Sequence, residues 1–362
     1  MDKKRILFIL HLPPPVHGAA VMGSILRDSP LVNRQFDCRF LNLSASSTLF
    51  EVGRGSGRKI RFILHLLREI RHTVRQWKPD AVYVTPTSKL PPFAKDYLIV
   101  QYLKRLGCRV ILHYHNKGIR ERQDRWLDNL LYTRFFRETE VILLSERLYP
   151  DIEKYVPRTR VHICPNGLPP VMAPSTPGQE GTPVLLFFSN LLKSKGIHVY
   201  LEACRLLQER GCTFRCLLGG APTAEMSWSD LERLVQEKGL TGRSVCRGPV
   251  YGEEKARLFS EADIFVFPTQ DEAFGLVALE AMMASLPVVA SRTGAVPDLV
   301  DDGKNGFLVE PGDAAALADA LQRLISDREL RLRFGKNGLE RYRQQFTSDC
   351  FERRMVEILS AF

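Results

Sequence analysis

One pattern occurs twice along the chain: short apolar strands alternate with amphipathic helices, then a proline- and glycine-rich stretch intervenes, then the alternation restarts. In the first run the candidate strands are Arg5–Leu10, Cys38–Leu43, Ala81–Thr85, Arg109–Tyr114 and Val141–Leu144, with helical periodicity near 60–77, 93–106 and 124–137. In the second run they are Val184–Phe188, Phe214–Leu218, a strand near 245, Ile264–Phe267 and Pro287–Ala290. Helical periodicity there falls near 197–210, 229–238, 253–261, 275–284 and 313–326, and the tail from about 328 to 362 reads as two amphipathic helices. Short, consecutively apolar strands between helices predict a parallel sheet covered on both faces. The stretch 169–183 holds Pro169, Pro170, Pro174, Pro177 and Pro183 with Gly178 and Gly181, the composition of a linker. The expected division is therefore 1–168, a linker 169–183, a second domain 184–345 and a C-terminal helix 346–362. Both domains are expected to be Rossmann-like, doubly wound and α/β, facing a cleft, with ligands at the carboxyl ends of the strands.

The bulk properties agree with two soluble cores. A chain of 362 residues, 44% hydrophobic and 25% charged, is long enough to bury two apolar centres and too hydrophobic to be disordered. Its eight cysteines show no ligand spacing, which predicts reduced thiols and no zinc site. The apolar run after Lys3-Lys4-Arg5 is shorter than a signal-peptide core, and no run approaches a membrane span. The expected location is cytoplasmic, peripheral on the inner face of the cytoplasmic membrane. Residues 1–175 carry a net charge of +14 and the remainder −4, so the first half is expected to face an anionic partner: nucleic acid, a membrane surface or a phosphorylated substrate.

The segment from Phe267 to Ala290 holds the most chemistry. A strand ends at Pro268, a loop carries Asp271 and Glu272, and a helix is expected to begin near Phe274–Gly275. Main-chain N–H groups at a helix start favour an anion, and Gly275 leaves room for a phosphate to approach. Glu280 lies about a turn and a half further in, where a carboxylate can accept hydrogen bonds from a ligand diol. Glu272 can grip a second polyol. Taken alone, the two glutamates read equally well as a helix cap and a solvated surface residue.

This segment resembles the glutamate–seven residues–glutamate motif of retaining family 4 glycosyltransferases, which have the two-domain GT-B fold. The resemblance continues through Thr293-Gly-Ala-Val-Pro-Asp298 and Asp302-Gly-Lys-Asn-Gly to Asp313, and upstream through Cys164-Pro-Asn-Gly167 and Phe188-Ser-Asn-Leu-Leu-Lys-Ser-Lys-Gly196. It implies that Glu280 holds the donor ribose, Glu272 a hydroxyl of the transferred sugar, and the main chain of Phe274, Gly275, Leu276 and Val277 the diphosphate. Lys195 would neutralise the leaving group, and Pro249 and Val250, after Gly248, would contact the base. The chain departs from the family pattern in four places. Ser189-Asn190 stands where the family has Gly-Arg, so Asn190 meets the phosphate without a charge. Ser285 replaces a common glycine, Asp298 a common glutamate, and Ala19 one glycine of the N-terminal loop that here keeps Gly18.

His113 and His115 end a strand on one face. They read as sheet histidines, as two ligands of a metal site lacking a third, or, by the resemblance, with His115 reaching the donor sugar. Residues 54–78 carry Arg54, Arg58, Lys59, Arg61, Arg68, Arg71, Arg75 and Lys78 against Glu69 alone, with apolar residues at helical spacing. Such a helix either packs on the sheet with a charged outer face or rests on anionic lipid, which would suit a lipid-linked saccharide acceptor. The loop Ser44–Phe50 is expected to close over the acceptor.

The resemblance implies transfer of a hexose-type sugar from a UDP- or GDP-linked donor to a saccharide acceptor in cell-envelope polysaccharide biosynthesis. Configuration would be retained by front-face displacement, with no metal and no cofactor, since no Asp-x-Asp motif is present. An epimerase on the same fold and a non-catalytic nucleotide-sugar-binding subunit are the rival readings. Nucleic-acid binding is not expected, because no recognised module accompanies the basic half.

Overall fold

The structure is a computed structural model that describes residues 3–14, 16–44, 57–172 and 181–362. It comprises two units, Met1–Gly167 with Ser348–Phe362, and Leu168–Thr347. The first unit runs β1 (Arg5–Leu10), α1 (Gly18–Asp28), α2 (Pro30–Gln35), β2 (Asp37–Asn42), α3 (Gly57–Trp77), β3 (Ala81–Val84), α4 (Pro92–Arg105), β4 (Val110–His113), α5 (Trp126–Phe136), β5 (Glu140–Leu143) and β6 (Val161–Ile163). The second runs β7 (Val184–Phe188), α6 (Ile197–Glu209), β8 (Arg215–Gly219), α7 (Trp228–Glu237), β9 (Ser244–Cys246), α8 (Gly252–Ser260), β10 (Ile264–Phe267), α9 (Leu276–Met283), β11 (Val288–Ser291), α10 (Val296–Leu299), β12 (Gly306–Val309), α11 (Ala314–Ser326) and α12 (Arg328–Gln345). The final helix, α13 (Ser348–Ser360), belongs to the first unit.

Each unit is built on a six-stranded sheet, in the order β2-β1-β3-β4-β5-β6 in one and β12-β11-β10-β7-β8-β9 in the other. Every strand pair is parallel. The chain reverses its direction of travel between β1 and β3 in the first sheet and between β7 and β10 in the second. At such a switch the connections leave toward opposite faces, and the loops after the two strands part to leave a crevice.

The strands were legible because their residues are buried on both faces: Ile6 through Leu10 are fully inaccessible, as are Ile264, Phe265, Val266, Val288 and Val289. The edge strands β6 and β12 and the short helices α2 and α10 were not expected. β6 has three residues and contains His162, while β12 starts at Gly306 inside a segment whose Asp and Gly residues read as loop. α2 is defined by its caps: Ser29 Oγ accepts from Val32 N at 3.1 Å, and Pro30 occupies the first helical position. The same hydroxyl donates to Glu352 Oε2 of α13 at 2.5 Å in a buried contact. Lys4 Nζ reaches the Ser360 carbonyl at 3.0 Å, so both ends of α13 are tied to the first unit.

Most of the linker 169–183 and of the loop 44–50 lies outside the described residues. No described helix is long and apolar enough to cross a membrane.

Ser285 takes φ 60°, the left-handed conformation, just past the end of α9. A helix commonly ends on such a residue, and glycine adopts it without a Cβ penalty. The glycine that the resemblance places here is thus a backbone requirement that this chain meets at a cost. Ser285→Gly is expected to stabilise the second unit by about 0.5–1 kcal/mol, read as a rise in the chemical-unfolding midpoint. An unchanged or lowered midpoint would show that the serine side chain compensates.

Candidate functional site

The loops after β7 and β10 meet at the switch point of the second sheet. Gly196 has φ 79°, and a Cβ there would lie 1.9 Å from the carbonyl oxygen of Pro268. Only glycine allows both the conformation and the approach. The contact is extended by Gln270 N donating to the Ser194 carbonyl at 2.7 Å and by Thr269 Oγ1 to the same oxygen at 3.3 Å. The Lys-Gly pair of the sequence motif is therefore a stitch between two loops.

The stitch brings Lys195 Nζ within 2.8 Å of Glu272 Oε2, with about a fifth of each side chain exposed. The other oxygen, Oε1, accepts from the main-chain N–H groups of Ala273 and Phe274 at 3.1 and 3.3 Å. The helix starts at Leu276, with Gly275 (φ 96°) as its cap, slightly later than the sequence suggested. Thus the Phe274 N–H points to Glu272, and its ring is buried 6.3 Å from Phe346. Gly275, Leu276 and Val277 present the opening N–H groups of α9, where no earlier turn can accept from them. Gly294 locks the loop from behind: a Cβ there would come within 2.0 Å of the Glu272 carbonyl oxygen, and Ala295 N donates to the Ala273 carbonyl at 3.0 Å. This explains the Thr-Gly-Ala of the next motif.

Glu280, one turn into α9, meets a partner that sequence reasoning missed. Lys255 Nζ, on α8, lies 2.5 Å from Glu280 Oε1, and both side chains are less than a fifth exposed. Burial raises the Glu280 carboxyl above its usual range, and Lys255 pulls it back. Glu280 Oε2 is buried with no hydrogen-bond partner. Asn190 is exposed just after β7, and Pro249 and Val250 lie in the turn between β9 and α8. The Gly248 carbonyl accepts from Gly220 N at 3.0 Å, which ties that turn to the loop after β8.

Gly18 and His115 belong to the first unit, at the carboxyl edge of its sheet. Gly18 opens α1, behind a cap in which His17 Nδ1 accepts from Ala20 N at 3.3 Å. His11 follows β1, its N–H on Thr85 Oγ1 at 3.2 Å and its ring 5.4 Å from that of His17. The His113 and His115 rings lie with their centroids 4.2 Å apart, tilted by 38°, and His113 Nδ1 lies 2.6 Å from the Tyr83 hydroxyl. Burial and the neighbouring Lys95, His17 and His115 push His11 well below the usual imidazole range. Burial, then His115, does the same to His113, while burial, with His17 second, lowers His115 to about 4. These are neutral imidazoles at neutral pH, able to accept or donate a hydrogen bond without charge. Among the described residues no group of three or more His, Cys, Asp or Glu side chains is placed to hold a metal ion.

Residues 172–341 match the family model described as Glycosyl transferases group 1, so the second unit carries a domain of that family. The capsular polysaccharide biosynthesis glycosyltransferase CapM of Staphylococcus aureus is 29% identical over 181 residues, covering 49% of this chain and 46% of that protein. The D-inositol 3-phosphate glycosyltransferase of Corynebacterium urealyticum is 39% identical over 157 residues, covering 41% of this chain and 36% of the relative. The chain thus matches less than half the length of these curated relatives. Among solved structures, sucrose-phosphate synthase from Thermosynechococcus elongatus superposes with a TM-score of 0.77 at 21% identity over 99% of both chains. HepE from Anabaena, solved with UDP and glucose, gives 0.74 at 18% identity over 99% of both. These likenesses show the fold: two parallel six-stranded α/β units of the GT-B type.

The buried histidines make stability depend on pH in a definite direction. Their pKa values are lowered in the fold, so below about 6.5 the unfolded chain binds more protons than the folded one. Stability is complete above that value and is lost as the pH falls toward about 4, the value for His115. Each histidine kept neutral costs about 1.4 kcal/mol per pH unit. Urea unfolding at pH 7.5 and 5.5 is expected to show this loss in the first unit; equal midpoints would mean that the imidazoles take up protons within the fold.

Proposed function

We propose that the chain is a retaining glycosyltransferase that moves a hexose-type sugar from a UDP- or GDP-linked donor to a saccharide acceptor, lipid-linked, in cell-envelope polysaccharide biosynthesis. The observation that carries this is the Lys195–Glu272 pair, held at 2.8 Å beside the opening N–H groups of α9, within the group 1 domain and at a sheet switch point. A diphosphate fits the helix start, where the dipole and unpaired donors favour negative charge. Glu272 accepts from a hydroxyl of the transferred sugar, and Glu280 from the donor ribose. For His115, Gly18, Asn190, Pro249 and Val250 the proposal rests on the resemblance alone.

In the proposed reaction the bond from the anomeric carbon to the diphosphate oxygen breaks. The acceptor hydroxyl oxygen bonds to that carbon on the same face, and its proton passes to the departing diphosphate. Charge grows on the leaving oxygen. Lys195 and the N–H groups of α9 are fixed dipoles and charges aimed at it, the task a divalent cation performs elsewhere, so the reaction is proposed to need no metal.

The acceptor side is proposed to involve anionic lipid. On α3, Ile60 and Leu64 are 63% and 50% exposed, and Arg61, Arg68, Arg71 and Arg75 are exposed around them. α5 adds an outward Trp126, 77% exposed, with Leu127 and Leu130. Apolar side chains ringed by arginine suit an interface of headgroups and acyl chains. Residues 54–56 of the basic stretch lie outside the described residues.

Thermal unfolding with UDP, GDP and ADP, with and without magnesium, tests the donor site. One nucleotide at about 100 times its Kd is expected to add roughly 2.7 kcal/mol without metal. Glu272→Ala should keep that nucleotide effect and lose transfer; stabilisation by none of the three would sink the reading. Flotation with anionic vesicles at low salt is expected to carry the protein upward, and a triple Arg68→Glu, Arg71→Glu, Arg75→Glu variant to stay at the bottom. No flotation of the unaltered protein would remove the membrane from the proposal.

A further inference from the structure

Lys255 has no assigned role in the donor site, yet it is the partner of the site's most buried carboxylate. Its ammonium lies 2.5 Å from Glu280 Oε1 and over the rings of Phe188 and Phe259, 5.0 and 6.0 Å from their centroids. The two rings themselves pack edge to face at 5.7 Å. Phe188 lies against Gly219, where a Cβ would come within 2.7 Å of its ring. The lysine is thus aimed by aromatic walls as well as by charge. The remaining glutamate oxygen, Oε2, is buried and unpartnered.

A buried carboxyl without a cation protonates and then donates one hydrogen bond instead of accepting. Lys255 on Oε1 favours the ionised form, in which Oε2 keeps its lone pairs for incoming hydroxyl hydrogens.

We propose that Lys255 is a positioning residue that keeps Glu280 an acceptor for the vicinal diol of a ribonucleotide, and thereby makes the site select ribose over 2′-deoxyribose. The inference rests on the donor-site reading above. Lys255 acts through Glu280 and need not touch the phosphates.

Binding of UDP, GDP and ADP and of their 2′-deoxy counterparts is measured by calorimetry for the unaltered protein, Lys255→Met, Lys255→Arg, Glu280→Gln and the Lys255→Met/Glu280→Gln double variant. For the nucleotide that binds, the unaltered protein is expected to favour ribose by roughly 10- to 100-fold, the range of a hydrogen bond to a charged group. Lys255→Met should lose most of that ratio while binding the 2′-deoxy ligand almost as before. Glu280→Gln should do the same, the double variant should lose no more than either, and Lys255→Arg should restore the preference. Equal weakening of both ligands in Lys255→Met would overturn the inference, because it would place the lysine on the phosphates or leave it a folding role. Should Lys255→Met not fold, as judged by circular dichroism, the test passes to Lys255→Arg and Glu280→Gln, where a preference unchanged in Glu280→Gln overturns it. If the unaltered protein binds none of the three nucleotides, the donor-site reading itself fails and takes the inference with it.

Discussion

The close approach of Gly196 to the carbonyl of Pro268 is the constraint on which the second unit's site depends. The loop after β7 and the loop after β10 come from strands 75 residues and more apart in sequence, and the sheet order makes them neighbours. Neighbouring loops still need a reason to hold one register. Any side chain at 196 would collide with main chain, at 1.9 Å, and would force φ out of the left-handed region. With glycine there, the Ser194 carbonyl takes Gln270 N, and Lys195 is delivered to Glu272 as a consequence. Gly294 performs the same service on the far side, against the Glu272 carbonyl. Two missing side chains thus fix the main chain that carries the charged ones.

Electrostatics then act on a fixed frame. An ion pair at the surface contributes little to stability, and one fully buried can cost more in desolvation than it gains. The pairs Lys195–Glu272 and Lys255–Glu280 lie between these limits, each side chain about a fifth exposed. At that depth the charges keep their identity but stay open to exchange of partners. A polar group entering there would meet side chains already oriented, so little reorganisation is left to oppose binding.

Much of this was legible in the sequence, and the limits are physical. Strands such as Arg5–Leu10 and Ile264–Phe267 announce themselves because burial on both faces demands consecutive apolar residues. β6 and β12 do not, because an edge strand of three or four residues is set by its neighbour's hydrogen bonds more than by its own composition. The glutamates 272 and 280 stood out by spacing on one segment. Lys255 did not: its distance from Glu280 depends on how α8 lies over the ends of β7 and β10, which no local pattern encodes. The left-handed Ser285 could be found only against the glycine that the resemblance expects there, and the polar cap at His17 only from its bond to Ala20.

The two units apply one topological device to different chemistry. At the β7/β10 switch the carboxyl edge carries lysines and carboxylates in pairs, with helix N–H groups beside them. At and beside the β1/β3 switch the first unit carries imidazoles that burial keeps neutral, one of them hydrogen-bonded to the Tyr83 hydroxyl. Fixed charges bind an anion whose charge grows during reaction, because their field is already in place. Neutral imidazoles can receive and return hydrogen bonds to hydroxyl groups without adding charge or taking a proton at neutral pH.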